Sequence, residues 1–131
     1  MGLFDAVETD GLTGTHWLGI ALAAATGLVH LGLGIGSLPD PLGVAALGAA
    51  GGFGLAIALV LVGVRPWWLY ALGIPFTASQ IVLWYVLNEP SAVGDVSALE
   101  AFDKLVQTAL LVVLVVLLAR VRSASRPNRG G

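Results

Sequence analysis

The stretch THWLGIALAAATGLVHLGLGIGS, Thr15 to Ser37, decides the fold. A helix that crosses a bilayer needs about 20 mostly apolar residues, and this run exceeds that. Its only ionisable side chains are two histidines, His16 and His30. Working outward, SLPDPLG supplies turn chemistry, with Pro39 and Pro41 on either side of Asp40. A second apolar run follows from about Leu42 to Val64. VRP closes it, because a residue before proline disfavours helix. The third run goes from about Pro66 to Leu87, and proline is tolerated in a first helical turn. NEPSAVGDVS is a polar loop. The fourth run begins near Ser97, where Glu100 three residues on completes a capping-box pattern, and reaches about Val121.

The expected fold is therefore all-α, an integral membrane four-helix transmembrane bundle with spans at about 15–37, 42–64, 66–87 and 97–121. An acidic N-terminal segment, residues 1–14, precedes it, and a disordered basic tail, residues 122–131, follows it.

Composition agrees. Of 131 residues, 57% are hydrophobic and 11% charged, and the mean hydropathy is +0.93. Soluble domains carry about 25% charged residues, so these few charges cannot cover a surface facing water. The net charge of −2 gives no nucleic-acid footprint. The absence of cysteine excludes disulfides, thiolate metal sites and cysteine nucleophiles. MGLFDAVETD does not read as a signal peptide, since Asp5, Glu8 and Asp10 stand where basic residues are required. Ala6 stands where a myristoylation motif wants Ser or Thr.

Basic residues in short loops set orientation. With four spans, both termini and the second loop share one side, which holds Arg65, Arg120, Arg122, Arg126 and Arg129. The other side holds Asp40, Glu89 and Asp95. Both termini are thus expected in the cytoplasm, with Trp17, Trp67 and Trp68 anchoring that interface and Trp84 and Tyr85 near the outer one.

Small residues mark packing faces in lipid. The first span carries Gly19, Ala23, Gly27, His30 and Gly34 at spacings of four, four, three and four, which puts them on one face. The second carries Gly48 and Gly52, with Gly51 and Gly54 beside them. Close packing of these two spans is expected, with a homodimer through the glycine faces as the alternative. The apolar half of the fourth span, LLVVLVVLLA, is expected to touch lipid. Glu100 and Lys104 have helical spacing for an ion pair.

His30, Gln80, Asp103 and Gln107 fall at similar depth in the outer half, with Thr26 and Thr77 beneath. Polar groups at such depth face the bundle interior and pair with one another. They form the candidate ligand-binding cluster. One reading has it fix helix register, with His30 satisfied by Gln80 or a carbonyl. The other makes it a ligand pocket or a proton-responsive group, since histidine titrates near neutral pH.

Haem b is a further alternative, because His16 and His30 lie fourteen residues apart on one face, but no other histidine supplies second axial ligands. GLGIG lies inside a span, so it is no phosphate loop, and Asp103 alone is too few carboxylates for a metal. The fully apolar inner half of the fourth span leaves an ion relay without a path on that side.

GIALAAATGLVHLGLGI (residues 19–35) and LYALGIPFTASQIVLWYV (residues 69–86) resemble a family of uncharacterised small four-span membrane proteins of haloarchaea, a domain of unknown function. The likeness extends over most of residues 11 to 121. It implies a four-span protein of an archaeal cell membrane and brings no catalytic residue, metal or cofactor. The expected function is non-enzymatic: a structural or partner-binding bundle, with the His30-centred ligand, haem or proton-responsive protein as the alternative. The expected partners are the lipid bilayer, a membrane protein or a second copy.

Overall fold

The computed structural model describes residues 11–88 and 96–125. It contains four helices: α1 (Gly14–Gly36), α2 (Pro41–Leu61), α3 (Trp67–Asn88) and α4 (Ala98–Ser125). Each is long and apolar enough to cross a membrane. They run up and down in turn, so that the start of α1, the α2–α3 connection and the end of α4 share one end, here named the arginine end. There the Arg120 guanidinium donates to Thr15 Oγ1 at 3.0 Å. The expected acidic segment lies mostly outside the described residues, as does the tail beyond Ser125, while α4 continues four residues past the expected limit of 121.

Local chemistry sets the helix ends. The Thr13 N–H donates to His16 Nδ1 at 3.0 Å, so this imidazole takes the part that glutamate plays in a capping box. Asp40 precedes α2 with Pro41 in its first turn. At α4 the capping box forms as expected: the Glu100 N–H donates to Ser97 Oγ at 3.1 Å, and the Ser97 N–H donates to Glu100 Oε2 at 3.3 Å.

The end of α2 differs from expectation. The helix stops at Leu61, ahead of the VRP stretch, because Gly63 takes a left-handed φ of 88°. The Val64 N–H then reaches Leu59 O at 2.8 Å and the Gly63 N–H reaches Val60 O at 3.2 Å. This is the Schellman ending that glycine favours. Arg65 Nε adds a bond to the Val60 carbonyl at 2.9 Å.

Neighbouring helices stand in the order α2, α1, α4, α3. The small residues of α1 divide between two partners. A Cβ on Gly19 would lie 3.1 Å from Val113 of α4, whereas a Cβ on Gly34 would lie 2.7 Å from Leu47 and 2.9 Å from the Gly43 carbonyl of α2. The expected packing of α1 on α2 is present, and on α1 the expected Gly27 and Gly34 carry it. On α2 Gly43 carries it instead of the expected glycines: Gly52 faces α3, and Gly48, Gly51 and Gly54 face away from the protein. α2 and α3 do not pack backbone to backbone. Phe76 spans the gap, its ring against Gly52 and edge-on to Phe53 with centroids 5.2 Å apart.

The expectation for α4 holds on one side of its apolar half and fails on the other. Val112 and Val115 are more than half exposed, whereas Leu110, Val113 and Leu117 are buried between α1 and α3, in line with Val106 just before them. Dispersion contacts along this row hold the helices together.

Candidate functional site

Polar side chains from three helices meet one turn or more inside the end opposite the arginines. Thr26 is buried on α1, and its hydroxyl donates to Asp103 Oδ1 of α4 at 2.7 Å. The other carboxylate oxygen receives the Lys104 ammonium at 3.1 Å. Lys104 Nζ also donates to Gln107 Oε1 at 2.7 Å. Gln107 Nε2 donates to Gln80 Oε1 of α3 at 2.8 Å, and Gln80 Nε2 ends the chain on the Phe76 carbonyl at 3.1 Å. The result is one continuous run of bonds from α1 through α4 to α3. It is deeply buried, with Thr26 and Gln107 0% exposed and Asp103 4%.

His30 stands beside this chain. Its Nδ1 lies 2.8 Å from the Thr26 carbonyl. A carbonyl only accepts, so Nδ1 carries the proton and Nε2 is the free nitrogen of the ring. The same Nδ1 is 3.4 Å from Thr26 Oγ1 and 4.0 Å from Asp103 Oδ1. Its partner is therefore a carbonyl, not Gln80. The Phe53 ring packs beside it at a centroid distance of 6.2 Å.

Of the expected cluster, the structure joins His30, Gln80, Asp103, Gln107 and Thr26. Thr77 is not bonded to it: this side chain is buried lower on α3, where its hydroxyl has no partner. Two members were not expected. Lys104 pairs with Asp103 and Gln107, whereas Glu100, its expected partner, is engaged with Ser97. Trp84 turns inward, with Lys104 Nζ 5.6 Å from the ring centroid and its indole N–H buried without a partner. Tyr85 beside it is exposed, as an interface anchor would be. The signal for Lys104 was its place next to Asp103 and three residues before Gln107, which puts it on the edge of the same helix face.

The chain borders a vestibule of about 470 Å³. His30, Gln80, Trp84, Asp103 and Lys104 line one side of it, with Glu100 towards the mouth. α2 contributes a smooth wall of small side chains, Ala45, Ala46 and Ala49. The polar side chains along this space are the His30 imidazole, the Gln80 amide, the Asp103–Lys104 pair and Glu100. Among the described residues, no three His, Asp or Glu side chains converge as a metal site. His16 and His30 line different cavities, one histidine to each. Comparison of the chain with protein-family models, with curated proteins and with solved structures finds no match, so no residue role comes from a relative.

Proposed function

We propose that the chain crosses a cell membrane four times with both termini on the cytoplasmic side, and that it acts by binding a small polar ligand in the His30 vestibule rather than by catalysis. An apolar skin supports insertion. Leu28, Leu55, Leu72 and Leu105, one on each helix, are all more than half exposed; contiguous apolar surface of this kind is a liability in water and is solvated in lipid. Arg65, Arg120 and Arg122 at one end, against Asp40 and Glu100 at the other, support the orientation. The resemblance of the two quoted stretches adds a haloarchaeal source to the proposal.

One observation carries the binding reading: His30, Gln80, Asp103 and Lys104 of the polar cluster border an open space. That space is about 470 Å³, within the range of small-molecule sites, about 300–1,000 Å³. Native mass spectrometry of protein released from its own membrane tests it. The wild type is expected to carry a small bound molecule. Ala46→Trp, which fills the vestibule, and His30→Ala are expected to lose it with helicity unchanged. A wild type without any bound molecule rejects the site. Orientation is tested separately, since the chain has no cysteine. An impermeant maleimide should label Ser97→Cys on intact cells and Ser123→Cys only after lysis, and the opposite pattern reverses the topology.

A second reading is a scaffold that holds a membrane partner or a second copy through α2. Gly48, Gly51 and Gly54 favour it, because a Cβ on any of them would meet nothing within 4 Å. In that case Ala46→Trp is silent and Gly51→Ile breaks the association.

A further inference from the structure

The helices neighbour one another in the order α2, α1, α4, α3, and the seam between α2 and α3 is left without helix-to-helix packing. A cavity of about 80 Å³ lies behind this seam, lined by Gly52, Ala56 and Val60 of α2 and by Leu69, Gly73 and Phe76 of α3. These walls are apolar. The Phe76 ring, against Gly52 and edge-on to Phe53, bounds the seam at its deep end. Trp67, where α3 begins, marks the arginine end. Nine positions separate Trp67 from Phe76, about 14 Å of helix. That is close to half of a hydrocarbon core of about 30 Å, so the seam has the length of the lipid chains of one leaflet. A single ring bridges it, which makes it too narrow for a helix about 10 Å across.

Cations stand at the arginine end of the seam. Arg65 lies in the α2–α3 connection, and its Nε donates to the Val60 carbonyl at 2.9 Å, which fixes the guanidinium there. Arg65 acts electrostatically on two residues of the cavity wall, His16 and Tyr70. Arg120, bonded to Thr15 Oγ1, acts on His16 as well. His16 adds no charge of its own: its Nδ1 accepts from the Thr13 N–H, so the ring is neutral. Among the described residues the carboxylates, Asp40, Glu100 and Asp103, all belong to the opposite end. Trp17, Trp67 and Trp68 are about half exposed at the arginine end, where indoles sit at the level of lipid headgroups. A guanidinium presents a planar fork of N–H donors that suits phosphate oxygens. An apolar slot one leaflet deep with such a fork at its mouth matches a lipid in both halves.

We propose that the α2–α3 seam holds one apolar chain of a membrane lipid with a net negative headgroup, whose phosphate lies against Arg65 in a field to which Arg120 contributes. The proposal rests on the chain lying in a bilayer, and on neither the vestibule nor the orientation.

The test uses the delipidated full chain in detergent micelles, titrated with phosphatidylglycerol or with phosphatidylcholine of the same chains. Native mass spectrometry counts the retained lipid, and the melting temperature is read in parallel. Phosphatidylglycerol is expected to be retained about fivefold better, the preference that one basic residue near an anionic headgroup supplies, and to raise the melting temperature. Arg65→Gln should remove the preference, and Arg65→Lys, which keeps the charge without the fork, should keep part of it. Ala56→Leu narrows the seam and should weaken retention of both lipids with helicity unchanged. Arg122→Gln, at the same end but on α4, should leave the preference intact, which separates a site from the general attraction of a basic end. Inorganic phosphate alone should not raise the melting temperature. Equal retention of the two lipids overturns the proposal, as does a preference that survives Arg65→Gln or is lost in Arg122→Gln. Retention untouched by Ala56→Leu, or an equal rise in melting with inorganic phosphate, overturns it too. So does a preference that appears only after Asp5→Asn, Glu8→Gln and Asp10→Asn, since the acidic segment would then be the occupant of Arg65. A chain that stays in solution without detergent fails the membrane reading itself, whereas a micelle-bound chain without the preference fails this proposal alone.

Discussion

Thr26 on α1 and Asp103 on α4 are 77 positions apart in sequence and 2.7 Å apart in space, hydroxyl to carboxylate. This bond joins the α1–α2 half of the protein to the α3–α4 half at the depth where both halves also carry their other polar groups. A bond to an ionised acceptor is shorter and stronger than a neutral one. Interhelical bonds in lipid average about 0.6 kcal/mol. A double-mutant cycle of Thr26→Val with Asp103→Ala, each of which removes the bond, is expected to give more than that average, about 1.5 kcal/mol, read from reversible unfolding in micelles. Strict additivity of the two changes would mean that the bond contributes nothing.

Asp103→Ala should be the most damaging single change in the polar chain. It strands the Lys104 ammonium, whose side chain is 16% exposed, and takes away the acceptor for Thr26. Losing one partner of a buried pair costs about 3–5 kcal/mol. Asp103→Asn keeps an acceptor for Thr26 and should cost clearly less. Denaturant titration of both variants checks the order, and equal losses would show that the charge on Asp103 is immaterial.

Glycines that look alike in sequence should behave differently. Gly34→Ala places a methyl 2.7 Å from Leu47 and 2.9 Å from the Gly43 carbonyl, which is backbone and cannot swing aside. Overpacking of this kind costs about 1–3 kcal/mol. Gly48→Ala meets nothing within 4 Å and gains helix propensity, up to about 1 kcal/mol. Melting temperatures should therefore fall for the first and hold or rise for the second. A fall for Gly48→Ala, with loss of a cross-linked dimer, would point to a second copy on α2.

Gly63→Ala asks whether the Schellman ending matters. A residue with a Cβ at φ 88° carries a penalty of about 1–2 kcal/mol. Gly63→Asn should recover part of it, because asparagine tolerates that region. Equal stability of glycine, alanine and asparagine at position 63 would show that α2 is ended by Pro66 instead.

The four helices were legible because apolar runs of that length are bounded by Pro, Gly, Ser and Asp, each acting locally. The polar cluster was legible because hydrocarbon makes isolated polar groups expensive, so His30, Gln80, Asp103 and Gln107 stood out by residue type alone. What was hidden depends on which neighbour a face meets. LLVVLVVLLA carries no contrast between its sides, so nothing in it announced that Leu110, Val113 and Leu117 occupy the centre of the bundle. Lys104 read as a helix-surface cation because a partner four residues back was at hand, yet the carboxylate beside it lies deeper and claims the ammonium. Trp84 and Trp68 are one residue type with opposite roles, and only the tertiary placement of Lys104 over Trp84 separates them. Gly63 was readable as a helix end, and the proline three residues later drew attention away from it.

The central position of α4 has a consequence for how the chain is made. Synthesis delivers α1, α2 and α3 first, and α4 brings Asp103, Lys104 and Gln107 last. Until it arrives, Thr26 and Gln80 lack the partners they hold in the finished protein. Three helices alone therefore leave Thr26 and Gln80 short of a partner each, and the fourth helix to leave the ribosome is the one that completes this interior.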